Sequence, residues 1–531
     1  MAFSISSSSS SSSSIACCAP PRCVSRACRC GTCLDAFIAT STSPPPSSSS
    51  AHAAPSRLAP LTTPFARRSV AIAVDSHARQ HQTLSVLQEM EFDVVVVGAG
   101  IIGLTVANRI LEETRFSVVV VDAKRPCAGA TGAGQGYVWL NHRNPASKTW
   151  GLAHRSKLLW EQLVADLADA GSDPLSAIGW QNTGSLLVAN SVEEARGLQA
   201  HVGAMATAGV DAEFLTASEL QKIEPSLKVG HEGGAAFVPG DSQIDAALAV
   251  EFFRKRNLAY RVEGRYMELF DSPVEELYRS SADGSIEVVQ TSRHKLRSRE
   301  AVIVAAGAWS PNILTRAAQE WRLPLIPPVK PRKGHLLVLE GLPSLKINHG
   351  LMEFEYTANY TTAHSTQCSQ PEDVSTPSLV TDPTVISHDS FRVAMTASTD
   401  KSGRLLLGSS REFSGFSTAH HYEAIEGILS RASEYFPALK DISVEDVLEK
   451  QTIRTGLRPY AFGGVPLVGP VPGVERLMLA TGHEGSGLCM ALGTAEMLVT
   501  RLLGKETVFD VDPYLPASRL CHSQTNAQTL A

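Results

Sequence analysis

"FDVVVVGAGIIGLTVANRILEETRFSVVVVDA", Phe92–Ala123, decides the fold. Its first six residues form a short apolar run closed by glycine, the pattern of a parallel strand buried on both faces. "GAGIIG" then sets Gly98, Gly100 and Gly103 at the spacing of a dinucleotide-binding turn. The first allows the tight turn, the second lets backbone approach a pyrophosphate, and the third lets helix and strand pack closely. "LTVANRILEE" places Leu104, Ala107, Ile110 and Leu111 on one face, so an amphipathic helix follows. Its first N–H groups, around Ile101 and Ile102, would point at phosphates, each interaction worth ~0.3–1 kcal/mol. "FSVVVVDA" is a second strand that ends at Asp122 and Ala123. A carboxylate there accepts from a ribose 2′-OH and repels a 2′-phosphate, which disfavours NADP. Strand, glycines, helix, strand and acid in register predict an adenine dinucleotide site.

The chain around this unit has 531 residues, 43% of them hydrophobic, and a formal net charge of -6. Its mean hydropathy is -0.02. That length suits two domains sharing a core, and the charge offers no footprint for nucleic acid or an anionic membrane surface. No apolar run reaches the ~18 residues of a membrane span.

Residues 1–75 read differently. "SISSSSSSSSS" and "SPPPSSSS" are low-complexity, Asp35 is the only acid before Asp75, and the basic residues are Arg22, Arg26, Arg29, Arg57, Arg67 and Arg68. A serine-rich, arginine-bearing, acid-poor leader is the composition of an organelle transit peptide, and the serine excess favours a plastid over a mitochondrion. Losing six arginines and one aspartate would take the net charge of -6 to about -11. Six of the ten cysteines lie in this leader, Cys17 to Cys33, without the partners that would complete a zinc site. Cys127, Cys368, Cys489 and Cys521 are too scattered for a disulfide framework, which fits a reducing stroma. No metal site is expected.

A second glycine-rich stretch, "GATGAGQGY" (Gly129–Tyr137), follows the acid. It has no apolar period, and a solvent loop is the plain alternative. Glycine also lets backbone lie against a flat, bulky ring, and a flavin is one. The order of strand, glycine turn, Asp and "GATG…G" loop resembles the D-amino-acid oxidase superfamily of FAD enzymes, which includes glycine oxidase, sarcosine oxidase and D-amino-acid dehydrogenases. "TGSLLVA" (Thr183–Ala189), "AVIVAAGAWS" (Ala301–Ser310), "RKGHLLVLE" (Arg332–Glu340), "TGLRPYAFGGVPLVGP" (Thr455–Pro470) and "LATGHEGSGLCMALGTAEML" (Leu479–Leu498) agree in order. The likeness runs over about residues 91–515; "GQGYVWL…LAHRSKLLW" with "VPGD" leans toward the D-hydroxyproline dehydrogenase-like branch.

The resemblance implies an α/β fold: a Rossmann-like FAD-binding domain from 91–175, 230–325 and 455–515, and a mixed, mainly antiparallel-sheet substrate domain from 176–229 and 326–454. Residues 361–390, Ser/Thr/Pro-rich and longer than relatives carry, read as a mobile surface loop, a lid or a docking segment. The tail 516–531 reads as loose. FAD contacts are implied at Gly98, Gly100, Ile101, Ile102, Gly103, Asp122, Ala123, Thr131, Gly132, Gln135, Gly136, Ala306, Gly307, Gly482, Gly485, Gly487 and Leu488. Attachment is expected to be non-covalent, because neither the first glycine loop nor "RTGLRPY" offers the His or Cys that tethers flavin in some relatives.

In oxidases of this superfamily the arginine of the "GLRP" element grips the substrate carboxylate, which implies that role for Arg458. An arginine tying the sheet to a core carboxylate is the plainer reading, and Arg454 suits it. His335 suits a structural role, His483 either a structural or a flavin-side role, and Tyr356 either core packing or the substrate face. Chemistry then rests mainly on positioning a neutral amine with its α-hydrogen against flavin N5, to which hydride passes. The expected function is oxidation of the C–N bond of a small amino or imino acid, with O2 or a redox carrier as acceptor. A 2-hydroxy-acid dehydrogenase and a non-catalytic flavin-binding protein remain the alternatives.

Overall fold

A computed structural model of the chain describes residues 87–323, 325–356 and 391–520. The transit-peptide reading of 1–75 and the insertion 361–390 lie outside the described residues. Two eight-stranded sheets organise what is described.

The first sheet contains the glycine motif. Its order is Leu467–Pro470, Leu477–Thr481, His294–Val304, Gln88–Val97, Val118–Val121, Tyr266–Leu269. Gln88–Val97 runs parallel to both neighbours, His294–Val304 and Val118–Val121. The valine runs are explained by that position: Val94–Val96 and Val118–Val121 are fully buried because helices cover both sheet faces. The helix Ile101–Glu113 packs on one face against Gly487–Leu502, giving an early and a late segment of the described residues a shared core. Val274–Arg279 and Ile286–Thr291 extend the sheet as an antiparallel ribbon beside His294–Val304.

The second sheet is mostly antiparallel, in the order Thr452–Ala461, Val329–Leu339, Leu405–Arg411, Arg392–Thr399, Gly350–Glu353, Ser185–Ala189, Gly234–Val238, Glu213–Thr216. Only Gly350–Glu353 and Ser185–Ala189 pair in parallel. The helices Val192–Thr207 and Tyr422–Tyr435 pack against it. The chain is thus a mixed α/β fold in which a parallel-centred sheet and a mainly antiparallel sheet meet.

Two segments fall elsewhere than the sequence reading put them. Gly234–Val238, assigned to the FAD-binding part, pairs antiparallel with Ser185–Ala189 and Glu213–Thr216 in the second sheet. Thr455–Ala461, likewise assigned, continues the strand that pairs with Val329–Val338 in that sheet. Both are short apolar or motif-bearing strands whose local pattern carries no information about which sheet they join. The tail expected to be loose from 516 is ordered at its start: Ala517–Leu520 is a helical turn with Leu520 buried, and Arg519 donates to the carbonyls of Phe462 and Val465. Among the described residues no helix is long and apolar enough to cross a membrane.

Candidate active site

The strand ends and glycine turns converge on one cavity of about 640 Å³, the size of a cofactor cleft. Its wall takes Gly98, Gly100, Ile101 and Ile102 from the first turn, Asp122 and Ala123 from the second strand, and Thr131, Gln135 and Gly136 from the second glycine loop. Ala306 and Gly307 come from the third strand end, and Gly485, Gly487 and Leu488 from the late turn. Three expected contacts lie behind the wall. At Gly103 an added Cβ would sit 2.0 Å from the Gly98 carbonyl oxygen, so this glycine serves helix–strand packing. Gly132 and Gly482 back onto the Cys127 carbonyl and Ala461 respectively.

The donor set matches a dinucleotide. Gly98 turns the chain at φ +117°, a conformation glycine favours, with its Cα against the Ala305 carbonyl. The helix that follows has no side-chain cap, so its first N–H groups face the cavity; Ile101 N–H approaches only Thr131 Oγ1, at 3.3 Å. The Gly487–Leu502 helix also starts without a side-chain cap, and its first residues line the same cavity. Two positive helix ends therefore meet one chamber, suited to a diphosphate and to negative charge on a ring. Asp122 closes the second strand onto the turn: Oδ2 accepts from Ala99 N–H at 2.6 Å and Oδ1 from Lys124 N–H at 2.7 Å. Burial raises its pKa despite these bonds. Each oxygen keeps a lone pair for a ribose hydroxyl.

A model of the FAD dependent oxidoreductase family matches residues 93–501. The chain belongs to that family. It is therefore an FAD-dependent oxidoreductase, and the cavity's glycines, uncapped helix ends and carboxylate are the residues that would hold the cofactor. Bound FAD supplies a two-electron acceptor at this wall. The chain is 27% identical over 436 residues to the glycine oxidase of Pseudomonas aeruginosa, across 80% of this chain and 99% of that one. It is 25% identical to the glycine oxidase of Geobacillus kaustophilus, across 80% and 96%. The crystal structure of the latter superposes with a TM-score of 0.62 at 22% identity, covering 80% of this chain and 98% of that one. L-proline dehydrogenase from P. horikoshii gives a TM-score of 0.62 at 19% identity, covering 81% and 98%.

Residues of the second sheet line the same cavity. Arg458 projects from Thr452–Ala461 into the lining, and its Nη1 donates to the Ser410 carbonyl at 2.9 Å. Among the described residues that is its one hydrogen bond, so the rest of the guanidinium fork stays open to a ligand. Thr396 Oγ1 and Ser409 Oγ are buried in the same wall without partners, the arrangement of groups that await a polar ligand. Tyr356 also lines it, with the Arg411 guanidinium 3.6 Å over its ring. Burial pushes the phenol pKa up, but Arg411 and Arg458 outweigh it and the net direction is down. This end of the cavity is electropositive and suited to a carboxylate.

The guanidinium's place depends on a glycine that the sequence reading passed over. Gly334 sits across the sheet from Gly456, and a Cβ there would fall 2.1 Å from Arg458 Nη1. Because the clash is with the far end of a flexible side chain, Gly334→Ala is expected to fold and to turn Arg458 out of the cavity. The expected result is a rise in KM for the carboxylate substrate of about tenfold or more, with flavin content unchanged. Unaltered KM would show that Arg458 does not need this path.

Sequence reasoning also missed Glu484. It is 6% exposed, adopts φ +49°, and pairs with Arg332 (Nε at 3.0 Å), tying the second sheet to the turn before the flavin-side helix. Nothing local in "GHEGSG" announces that pair, because its partner is 152 residues away. Trp309 and Phe416, ring centroids 5.6 Å apart and both partly exposed, stand together at the cavity wall.

The two histidines are structural donors and acceptors. His335 Nδ1 lies 2.8 Å from Ser410 Oγ, and His483 Nε2 lies 2.9 Å from Thr494 Oγ1. Burial, then Lys333, pushes the His335 pKa down to about 4, and burial pushes His483 down to about 3. Both are neutral in the folded protein at neutral pH, whereas the unfolded chain protonates them near 6.5. Their contribution to stability is complete above pH 6.5 and is lost as pH falls, toward 4 for His335 and toward 3 for His483. Each would remove about 1.4 kcal/mol per pH unit through that window. Thermal melts of wild type and His335→Gln between pH 7 and 4 check this: the variant's Tm should fall less steeply, and parallel slopes would contradict it. Cys127 and Cys489 are free thiols with pKa values raised by burial, to about 11 for Cys127, and neither lines the cavity.

Proposed function

We propose that the protein oxidises the C–N bond of a small amino or imino acid. The observation that carries this reading is the open Arg458 fork, in the same cavity lining as Tyr356, Thr396, Ser409 and the two helix ends. A substrate carboxylate gripped there would hang its α-carbon and amine toward the cofactor side. Arg458 supplies the bidentate contact, and the buried hydroxyls of Thr396 and Ser409 supply neutral hydrogen bonds that orient the amine. Among the described residues His335 and His483 are neutral and hydrogen-bonded elsewhere, and the Glu484 carboxylate is held by Arg332, so none of the three is poised to take the α-hydrogen. Positioning therefore carries the step, as in reactions where the substrate is held in a near-attack geometry. The curated relatives named glycine oxidase support this substrate class.

The test is a panel of glycine, sarcosine, D-amino acids, proline and hydroxyproline isomers, set against matched 2-hydroxy acids. Peroxide release and reduction of an artificial acceptor are followed side by side. Turnover with an amine or imino acid and not with its hydroxy counterpart supports the reading. Preference for hydroxy acids, or no turnover with any small acid, sinks it in favour of the dehydrogenase or non-catalytic alternative. The acceptor, O2 or a redox carrier, is read from the same assay. We further propose plastid import, supported by the serine-rich, acid-poor residues 1–75. A fluorescent fusion of that segment that stays in the cytosol would refute it.

A further inference from the structure

A second cavity, of about 460 Å³, shares Glu484 and His483 with the wall of the first. Its lining holds a cation without a counter-ion. Arg143 is 7% exposed, its Nε donates to the Trp139 carbonyl at 3.3 Å, and its Nη2 is buried with no partner. Arg143 forms no ion pair among the described residues, and the group beside it is the Cys489 thiol. An arginine stays protonated in a protein interior, and an unpaired buried charge costs several kcal/mol. His142 lines the same space, and its Nδ1 is likewise buried without a partner.

The remaining lining narrows the ligand. Burial and then the Arg143 charge keep His142 neutral, and burial keeps His201 neutral with Nε2 2.6 Å from the Asn141 carbonyl. Glu484 is already neutralised by Arg332. Arg143 is the one cation of this lining, and a single orphaned guanidinium suits a single carboxylate. Ser147 and Thr149 add hydroxyls, while Leu187 and Phe354 add apolar surface suited to a short carbon chain.

We propose that this cavity binds a small monocarboxylate, with Arg143 gripping the carboxylate and His142 Nδ1 completing its hydrogen bonds. The site is separate from the Arg458 end of the cofactor cavity and shares only the Glu484–His483 wall with it.

The test uses FAD-loaded Arg458→Met protein, so that carboxylate binding in the first cavity is removed and the flavin spectrum reports any that remains. Acetate, pyruvate and inorganic phosphate are titrated by calorimetry. The expected result is saturable binding of acetate or pyruvate at one site per chain, with no flavin spectral change and with phosphate weaker. Adding Arg143→Met should weaken that binding at least tenfold. It should also leave Tm in carboxylate-free buffer equal or higher, because an unpaired buried charge is gone. Ala204→Trp, on the exposed side of the Val192–Thr207 helix where it borders this cavity, should weaken binding with Arg143 intact. Absence of saturable carboxylate binding, binding unchanged by Arg143→Met, or tighter binding of phosphate would overturn the proposal. If Arg143→Met does not fold, unchanged binding in Ala204→Trp overturns it instead.

Discussion

Replacing Arg458 by methionine is expected to lower kcat/KM for the carboxylate substrate about 100- to 1000-fold while the protein stays folded and yellow. Truncating one partner of a desolvated charge pair costs about 2–5 kcal/mol, much of it from leaving the other charge unpaired. The loss should appear in both KM and kcat, because the same contact binds the substrate and aims its α-carbon. Folding should be spared, since in the protein itself the guanidinium makes a single hydrogen bond to the Ser410 carbonyl. A variant that loses flavin or melts many degrees lower would assign Arg458 to the sheet instead. Gly334→Ala offers an independent route to the same phenotype, because it displaces the guanidinium without changing its chemistry.

The second large effect concerns Gly100. An added Cβ there meets only Thr131 Oγ1, at 3.3 Å, so the polypeptide itself tolerates a side chain at this position. What a valine would invade is the cavity space against the uncapped helix end. Gly100→Val is therefore expected to give soluble protein of near-normal secondary structure that retains less than about a tenth of the wild-type FAD. Gly103→Val should behave differently. Its Cβ would sit 2.0 Å from the Gly98 carbonyl oxygen, so helix and strand must separate and stability itself should collapse. Flavin content measured together with circular dichroism separates the two. Equal flavin retention in Gly100→Val and wild type would remove the diphosphate from this turn.

The nucleotide half of the cavity was legible because its parts are contiguous. Strand, glycine turn, helix, strand and Asp122 follow one another within 31 residues of Phe92, and each step has a local physical signature. The second glycine loop was legible for the same reason once FAD was in view. The substrate half was not. Thr396, Ser409 and Arg458 lie on different strands of the second sheet, with Tyr356 three residues beyond the end of a fourth, and only the sheet's register brings them together. Arg458 was found through the motif around it, while Gly334 was invisible because its importance comes from the Arg458 guanidinium that reaches over it from the neighbouring strand. The Arg332–Glu484 pair and the Arg143 cavity depend on residues more than a hundred positions apart, or on a missing partner, neither of which periodicity or composition encodes. The misplacement of Gly234–Val238 has the same origin: five apolar residues fit either sheet equally well.

The most direct test of the account is an anaerobic titration of the FAD-loaded protein with amino and imino acids, following the flavin band. Full bleaching by at least one such acid is expected, with the reduction rate falling at least 100-fold in Arg458→Met. Flavin that stays oxidised with every amino and imino acid, or bleaching that is indifferent to Arg458, would contradict it.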